Sequence, residues 1–274
     1  MLNHTLFLRG TLLLMTALVS VFAGDSLEAI ADGAHRSAEH KARNGARHPA
    51  ETLAFFGLKP NMTVIEIHPG DHGWYTEVIA PYLQKEGTYI AMGHPLDSDN
   101  KWVQRGHQRF AEKLAANPIY NKVQRAAIRD AKAEGVAPGS ADMVLTFRNV
   151  HNFITHDGNP DGMFAMFYGL LKPGGILGVV QHRDGEKAAA GPLGERGYLS
   201  EAVVIALAEK AGFQLAGKSE INANPKDTKD HPYGVWTLPP TLYHKDKDAD
   251  RTKWQAIGES DRMTLKFVKP GKGA

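Results

Sequence analysis

The sequence predicts an α/β fold, a doubly wound and mostly parallel seven-stranded sheet in one domain, with an insertion before the last strand. Three observations carry that expectation. Residues 64–82 read as a buried strand (Val64, Ile65, Ile67), a turn broken by Pro69, Gly70 and Gly73, and a helix with Tyr75, Val78, Ile79 and Tyr82 on one face. Downstream, short β-favouring runs alternate with segments of helical spacing, the pattern of strands joined by helical crossovers. Residues 263–268, MTLKFV, then alternate as a closing strand would, and an antiparallel placement suits them.

The 274 residues suffice for one sizeable core. Charged residues make up 23% and the formal net charge is +2, so no field of one sign marks a nucleic-acid or acidic-membrane binder. The expected partner is a small molecule. Residues 1–23 have a short polar start with His4 and Arg9, an apolar run over 11–22, and Val21-Phe22-Ala23 before Gly24, the layout of a cleavable secretory signal. The expected mature chain is one α/β domain over 24–274, periplasmic or secreted, with no stable membrane insertion after signal cleavage. There is no cysteine, which excludes disulfides, thiol nucleophiles and zinc–thiolate sites.

Behind the signal, residues 26–43 are rich in Ala, Glu and Lys and predict a helix on the outside of the domain. Pro49 suits a first helical position, and 50–56 carries Leu53, Phe55 and Phe56 up to Gly57 as a C-terminal cap. The first strand and its turn follow. Residues 88–92 predict the second strand, 101–116 a helix, 123–128 the third strand and 142–147 the fourth. A helix over 161–171 places Met163, Phe164, Phe167 and Leu170 inward, and Lys172-Pro173-Gly174-Gly175 leads to a fifth strand over 176–180. Ser200 caps a helix over 201–211 that stops at Gly212, before a sixth strand over 213–216. Residues 222–260 are dense in Pro, Asn, Lys and Asp yet contain Trp236, Leu238, Tyr243 and Trp254. Large apolar groups need a surface to cover, so this insertion is expected to be ordered and to lie over the domain.

Glu66 in the opening strand, the glycine turn, Asp142 at the start of the fourth strand and LLKPGG before the fifth are together similar to a class I S-adenosylmethionine-dependent methyltransferase, a Rossmann-type scaffold. More narrowly, PGDHGWYTEVIAPYL, TFRNVHNF, NPKDTKD, GVWTLPPTL and GESDRMTLKF resemble a family of exported bacterial proteins called predicted methyltransferases, over residues 34–270. The resemblance implies S-adenosylmethionine as cofactor and transfer of its methyl group to a small-molecule acceptor. It also implies a cofactor site drawn from Glu66, His68, Pro69, Gly70, Gly73, Asp97, Asp130 and Asp142. The chain departs from the general pattern in two places. His68 and His72 stand where two of the three loop glycines are expected, and Gly93-His94 stand where an acid would hold the ribose hydroxyls. Asp97 is then the acid that would reach back, and Asp130 falls on the adenine side.

In a parallel sheet the ligand sits above the carboxyl ends of the strands. His68 and His72 follow the first strand, His94 the second, His151 the fourth and His182 the fifth, so five of the 13 histidines fall at one edge. Imidazole is a common metal ligand and carries protons near neutral pH. Arg148, Asn149 and His151 are expected to line the crevice, with His151, Asn149 and His182 as candidate catalytic residues and His151 as base for a protonated acceptor. Asp71, Asn149 and Asp157 are the accompanying oxygen ligands if a metal is bound. S-adenosylmethionine is made from ATP in the cytoplasm, so an exported enzyme has no evident supply. The alternative is therefore an exported protein on the same scaffold that transfers no methyl group, either a ligand-binding protein or a histidine-rich one dependent on a divalent metal.

Overall fold

The computed structural model describes residues 26–185 and 192–271; the expected signal over 1–23 lies outside them. The strands are β1 (Thr63–Ile67), β2 (Thr88–Gly93), β3 (Gln124–Arg129), β4 (Lys132–Glu134), β5 (Ala141–Phe147), β6 (Leu171–His182), β7 (Gln214–Ser219) and β8 (Arg262–Val268). They form one sheet in the order β4-β3-β2-β1-β5-β6-β8-β7. Pairing is parallel from β3 through β2, β1 and β5 to β6, and antiparallel where β8 lies between β6 and β7. The expected doubly wound α/β sheet is present with eight strands rather than seven. The additional β4 makes an antiparallel hairpin with β3, and Lys132, Ala133 and Glu134 offer no apolar run by which to read it.

Ten helices accompany the sheet among the described residues: α1 (Leu27–Ala31), α2 (Ala38–Ala42), α3 (Asn44–Arg47), α4 (Pro49–Phe56), α5 (Thr76–Leu83), α6 (Lys101–Ala115), α7 (Val150–Thr155), α8 (Pro160–Leu170), α9 (Glu201–Lys210) and α10 (Thr252–Ile257). Period-two alternation divides the core between the two faces. Ile65 and Ile67 of β1 join Val144, Val179 and Leu265 against Phe153 of α7, Phe164 and Phe167 of α8 and Val204 of α9. Val64, Met143 and Leu145 point the other way, against Leu53 and Phe56 of α4 and Val78 and Ile79 of α5.

Local chemistry sets the helix ends. Pro49 opens α4 and Gly57 closes it at φ +86°, as expected. The segment expected as one helix over 26–43 is instead two short helices, because Ser26 caps α1 and Ser37 caps α2 with a Gly33 turn between them. The stretch between β7 and β8 has a 3-10 turn at Gly234–Thr237 and α10, with Leu238 fully buried and Trp254 buried while Tyr243 is exposed. No helix among the described residues is long and apolar enough to cross a membrane.

Candidate functional site

The parallel strands end at one edge of the sheet, and above that edge lies a cavity of about 750 Å³. That volume suits a small-molecule or cofactor site. The turn after β1 supplies His68, Pro69 and Gly70, the end of β2 and the residue after it supply Gly93 and His94, and the end of β5 and the loop after it supply Phe147, Arg148 and Asn149. Trp102 and Phe110 of α6 stand at one side, Trp236 and Pro239 of the insertion cover another, and Glu259 and Ser260 approach from the entry to β8.

Backbone geometry puts these groups there. His68 N–H donates to the Met92 carbonyl at 2.7 Å, which extends the β1–β2 pairing one residue past the strand and carries His68 to the edge. His68 (φ +48°) and Gly70 (φ +75°) then turn the chain. A Cβ on Gly70 would meet no atom within 4 Å, so this turn is open where it lines the cavity. Asn149 Nδ2 donates to the Ile67 carbonyl at 3.0 Å and so ties the loop after β5 to the end of β1. Asn100 caps α6 by accepting from Trp102 N–H at 2.8 Å, which holds Trp102 at the rim.

Of the residues expected to bind cofactor, His68, Pro69 and Gly70 line the cavity and the other five do not. Asp142 opens β5, so it sits at the amino edge of the sheet, opposite the cavity. There its carboxylate accepts from Thr63 N–H at 2.8 Å and pairs with Lys172 Nζ at 2.6 Å. Asp97 is exposed and paired with Arg129 at 2.6 Å, and Asp130 is an exposed residue of the β3–β4 turn at φ +50°. Gly73 is a packing glycine: a Cβ there would lie 2.8 Å from Phe110 Cε2 and 2.9 Å from Thr76 Oγ1. Glu66 is buried in the sheet and accepts a short hydrogen bond from the Tyr89 hydroxyl, and burial pushes its carboxyl up to about 7.

The candidate catalytic residues Asn149, His151 and His182 all reach the cavity. The histidines separate into two pairs, His68 with His94 (ring centroids 4.7 Å apart) and His151 with His182 (5.6 Å), while His72 is exposed beside Asp71. No group of three or more His, Cys, Asp or Glu among the described residues is placed to hold a metal ion. Burial pushes the His68 ring down to about 3 and the His151 ring to about 4, and lowers His94 and His182 as well. All four are therefore neutral near pH 7.

The role expected of His151 changes in this setting. Gln181 Nε2 donates to the Gly197 carbonyl at 2.8 Å, which fixes its amide orientation, and lies 3.2 Å from His151 Nδ1. Nδ1 of His151 therefore accepts, its proton sits on Nε2, and the neutral ring presents a donor rather than a base. His182 Nδ1 lies 2.6 Å from Ser260 Oγ, and when the serine accepts, its Nε2 keeps a free lone pair. In that tautomer His182 offers an acceptor nitrogen where His151 offers a donor. Glu259 and Ser260 fall in the GESDRMTLKF segment of the resemblance, which assigns them no site role, and they belong to no strand-end loop of the parallel sheet.

No protein-family model matches the chain, and no curated protein matches it either. Solved structures do match in fold. A SAM dependent methyltransferase from Aquifex aeolicus shares 16% identity at TM-score 0.57, covering 83% of this chain and 93% of that one. The [4+2]-cyclase SpnF shares 16% identity at TM-score 0.58, covering 88% and 86%. Geranyl diphosphate C-methyltransferase from Streptomyces coelicolor A3(2), determined with Mg2+, geranyl diphosphate and S-adenosyl-L-homocysteine, shares 10% identity at TM-score 0.56, covering 88% and 86%. At such identities the likeness establishes the architecture: this chain has the class I methyltransferase-like α/β fold.

Proposed function

We propose that the protein binds S-adenosylmethionine in this cavity and transfers its methyl group to a small-molecule acceptor. The observation that carries the reading is the open turn at His68 to Gly70, tied through Asn149 to the end of β5 and facing a cavity of about 750 Å³. Such a turn lets a ligand approach the backbone closely. The residues fit the cofactor at this turn. At the ribose end Gly93 and His94 take the place of an acid, and the neutral His94 ring offers hydroxyls one donor and one acceptor nitrogen. When bound, the cofactor supplies an electrophilic methyl group. The protein's part is to position the acceptor, to exclude water beneath Trp236 and Pro239, and to hold an acceptor proton at His182. The apolar leader over 1–23 supports export of the mature chain.

A second reading, ligand binding or other chemistry without methyl transfer, draws support from the altered ribose end and from the fold's likeness to a [4+2]-cyclase. Calorimetric titration with S-adenosylmethionine and S-adenosylhomocysteine separates the two. Under the first, both bind, and Gly70→Ala weakens them through strain at φ +75° and crowding of the ligand, by about 1 to 3 kcal/mol. Absence of heat with either ligand at millimolar concentration leaves the second reading standing.

A further inference from the structure

Arg148 is the one feature of the cavity that the fold leaves unexplained. Its backbone is left-handed at φ +64°, a conformation that a long side chain adopts at a cost and that persists where the surroundings impose it. The surroundings are a 2.6 Å hydrogen bond from its N–H to the Val180 carbonyl and the start of α7 two residues later. The side chain is half-buried and lines the cavity, yet among the described residues its guanidinium makes no hydrogen bond and no ion pair. Burial lowers it to about 10, which leaves it charged at neutral pH.

The neighbouring charges do not neutralise it. Glu259 acts on Arg148 through space, but its carboxylate already accepts from Arg43 Nε at 2.8 Å, Arg47 Nε at 2.9 Å and Arg262 Nη1 at 3.0 Å. Arg43 Nη2 is itself buried without a hydrogen-bond partner. Glu66, the other acid that acts on Arg148, is committed to Tyr89 and Thr76. Four guanidinium groups thus share two carboxyl groups, and His151 and His182 are neutral. A half-buried cation without a partner is unfavourable until something supplies the anion.

We propose that the ligand of this cavity is an organic acid whose carboxylate is seated on the Arg148 fork, with its apolar part against Phe147, Trp102 and Trp236. The planar guanidinium matches a carboxylate bidentately, and one such group supplies the missing charge. The inference rests on reading the cavity as a ligand site, as above. The carboxylate has two sources, the methionine half of the cofactor or the acceptor.

The test uses the mature full chain as wild type, R148Q and R148K. Calorimetry compares S-adenosylmethionine with its decarboxylated form, and melting shifts are read with benzoate, with and without S-adenosylhomocysteine. Without ligand, R148Q is expected to melt at or above wild type, because an unpaired cation has been removed. Loss of a charge-assisted pair predicts a carboxylate effect weakened about 10- to 100-fold in R148Q and partly retained in R148K. If the carboxylate is the cofactor's, the preference for S-adenosylmethionine over the decarboxylated form collapses in R148Q. If it is the acceptor's, that preference survives and the benzoate shift disappears. Should the protein bind neither cofactor form, the benzoate arm decides alone, so failure of the methyl-transfer reading is distinguishable. A carboxylate response absent from wild type, or equal in wild type and R148Q, overturns the proposal, as does an R148Q that melts well below wild type.

Discussion

His182 and Ser260 meet at 2.6 Å between Nδ1 and Oγ although they stand 78 positions apart in the chain. Antiparallel pairing brings them together: β8 runs against β6 with His182 opposite Arg262, so the entry to β8 lies beside the exit from β6. Ser260→Ala should leave a buried imidazole nitrogen without its partner, at about 1–3 kcal/mol of stability. The same change should weaken ligand binding, since His182 lines the cavity. Urea unfolding and calorimetry read both effects; a variant unchanged in each would show that the contact is incidental.

Glu259 is the shared counter-charge of Arg43, Arg47 and Arg262 and is itself buried. Glu259→Gln keeps the shape and removes the charge, which leaves three guanidinium groups facing one another. Breaking a buried ion pair from one side costs about 3–5 kcal/mol, so the urea midpoint should fall steeply. A midpoint equal to that of wild type would contradict the charge arrangement described above.

The buried histidines make stability depend on acid. His68 has a folded value near 3 and His151 near 4, against 6.5 when unfolded, so below pH 6.5 the unfolded chain takes up protons that the folded chain refuses. Stability is therefore fully present above about pH 6.5 and is lost as the pH falls toward 4. Glu66, raised to about 7, acts in the opposite sense: between about 4.5 and 7 the folded state binds the extra proton, and stability falls as pH rises through 7. His68→Asn removes one histidine's share and suits the left-handed backbone at φ +48°. Its melting temperature should fall less than that of wild type between pH 7 and pH 4.5. Parallel profiles for the two proteins would refute the assignment.

Asp142 sits at the edge of the sheet away from the cavity, tied to Thr63 and Lys172. Asp142→Asn should therefore leave ligand affinity within about twofold of wild type, as expected for sites that share no partners. Titration beside Gly70→Ala gives the comparison, and a large loss at Asp142 would restore it to the binding site.

The apolar run Val64, Ile65 and Ile67, the glycines Gly57 and Gly212 that follow two of the helices, and the Pro49 start are enough to place many of the strands and helices. They are local signals, read from neighbours in the chain. The loop residues at the carboxyl ends of β1, β2, β5 and β6 were legible for the same reason, since a parallel sheet sends all of them to one edge. Hence His68, Gly70, Asn149, His151 and His182 were found together, and Arg148 with them.

Tertiary structure decided what those residues face. Asp142 and Arg148 bracket the same strand, but its seven residues span about 20 Å, so one is at the cavity and the other at the far edge. The five-histidine edge became two separate pairs and an exposed His72 because side-chain direction, strand stagger and loop turns are not encoded in spacing. Glu259 and Ser260 reached the site only through the antiparallel β8, and Gln181 settled the proton of His151 from the neighbouring strand. Local sequence sets secondary structure through short-range sterics and burial pattern, whereas the protonation and pairing of a site depend on groups that only long-range strand pairing brings within a few ångströms.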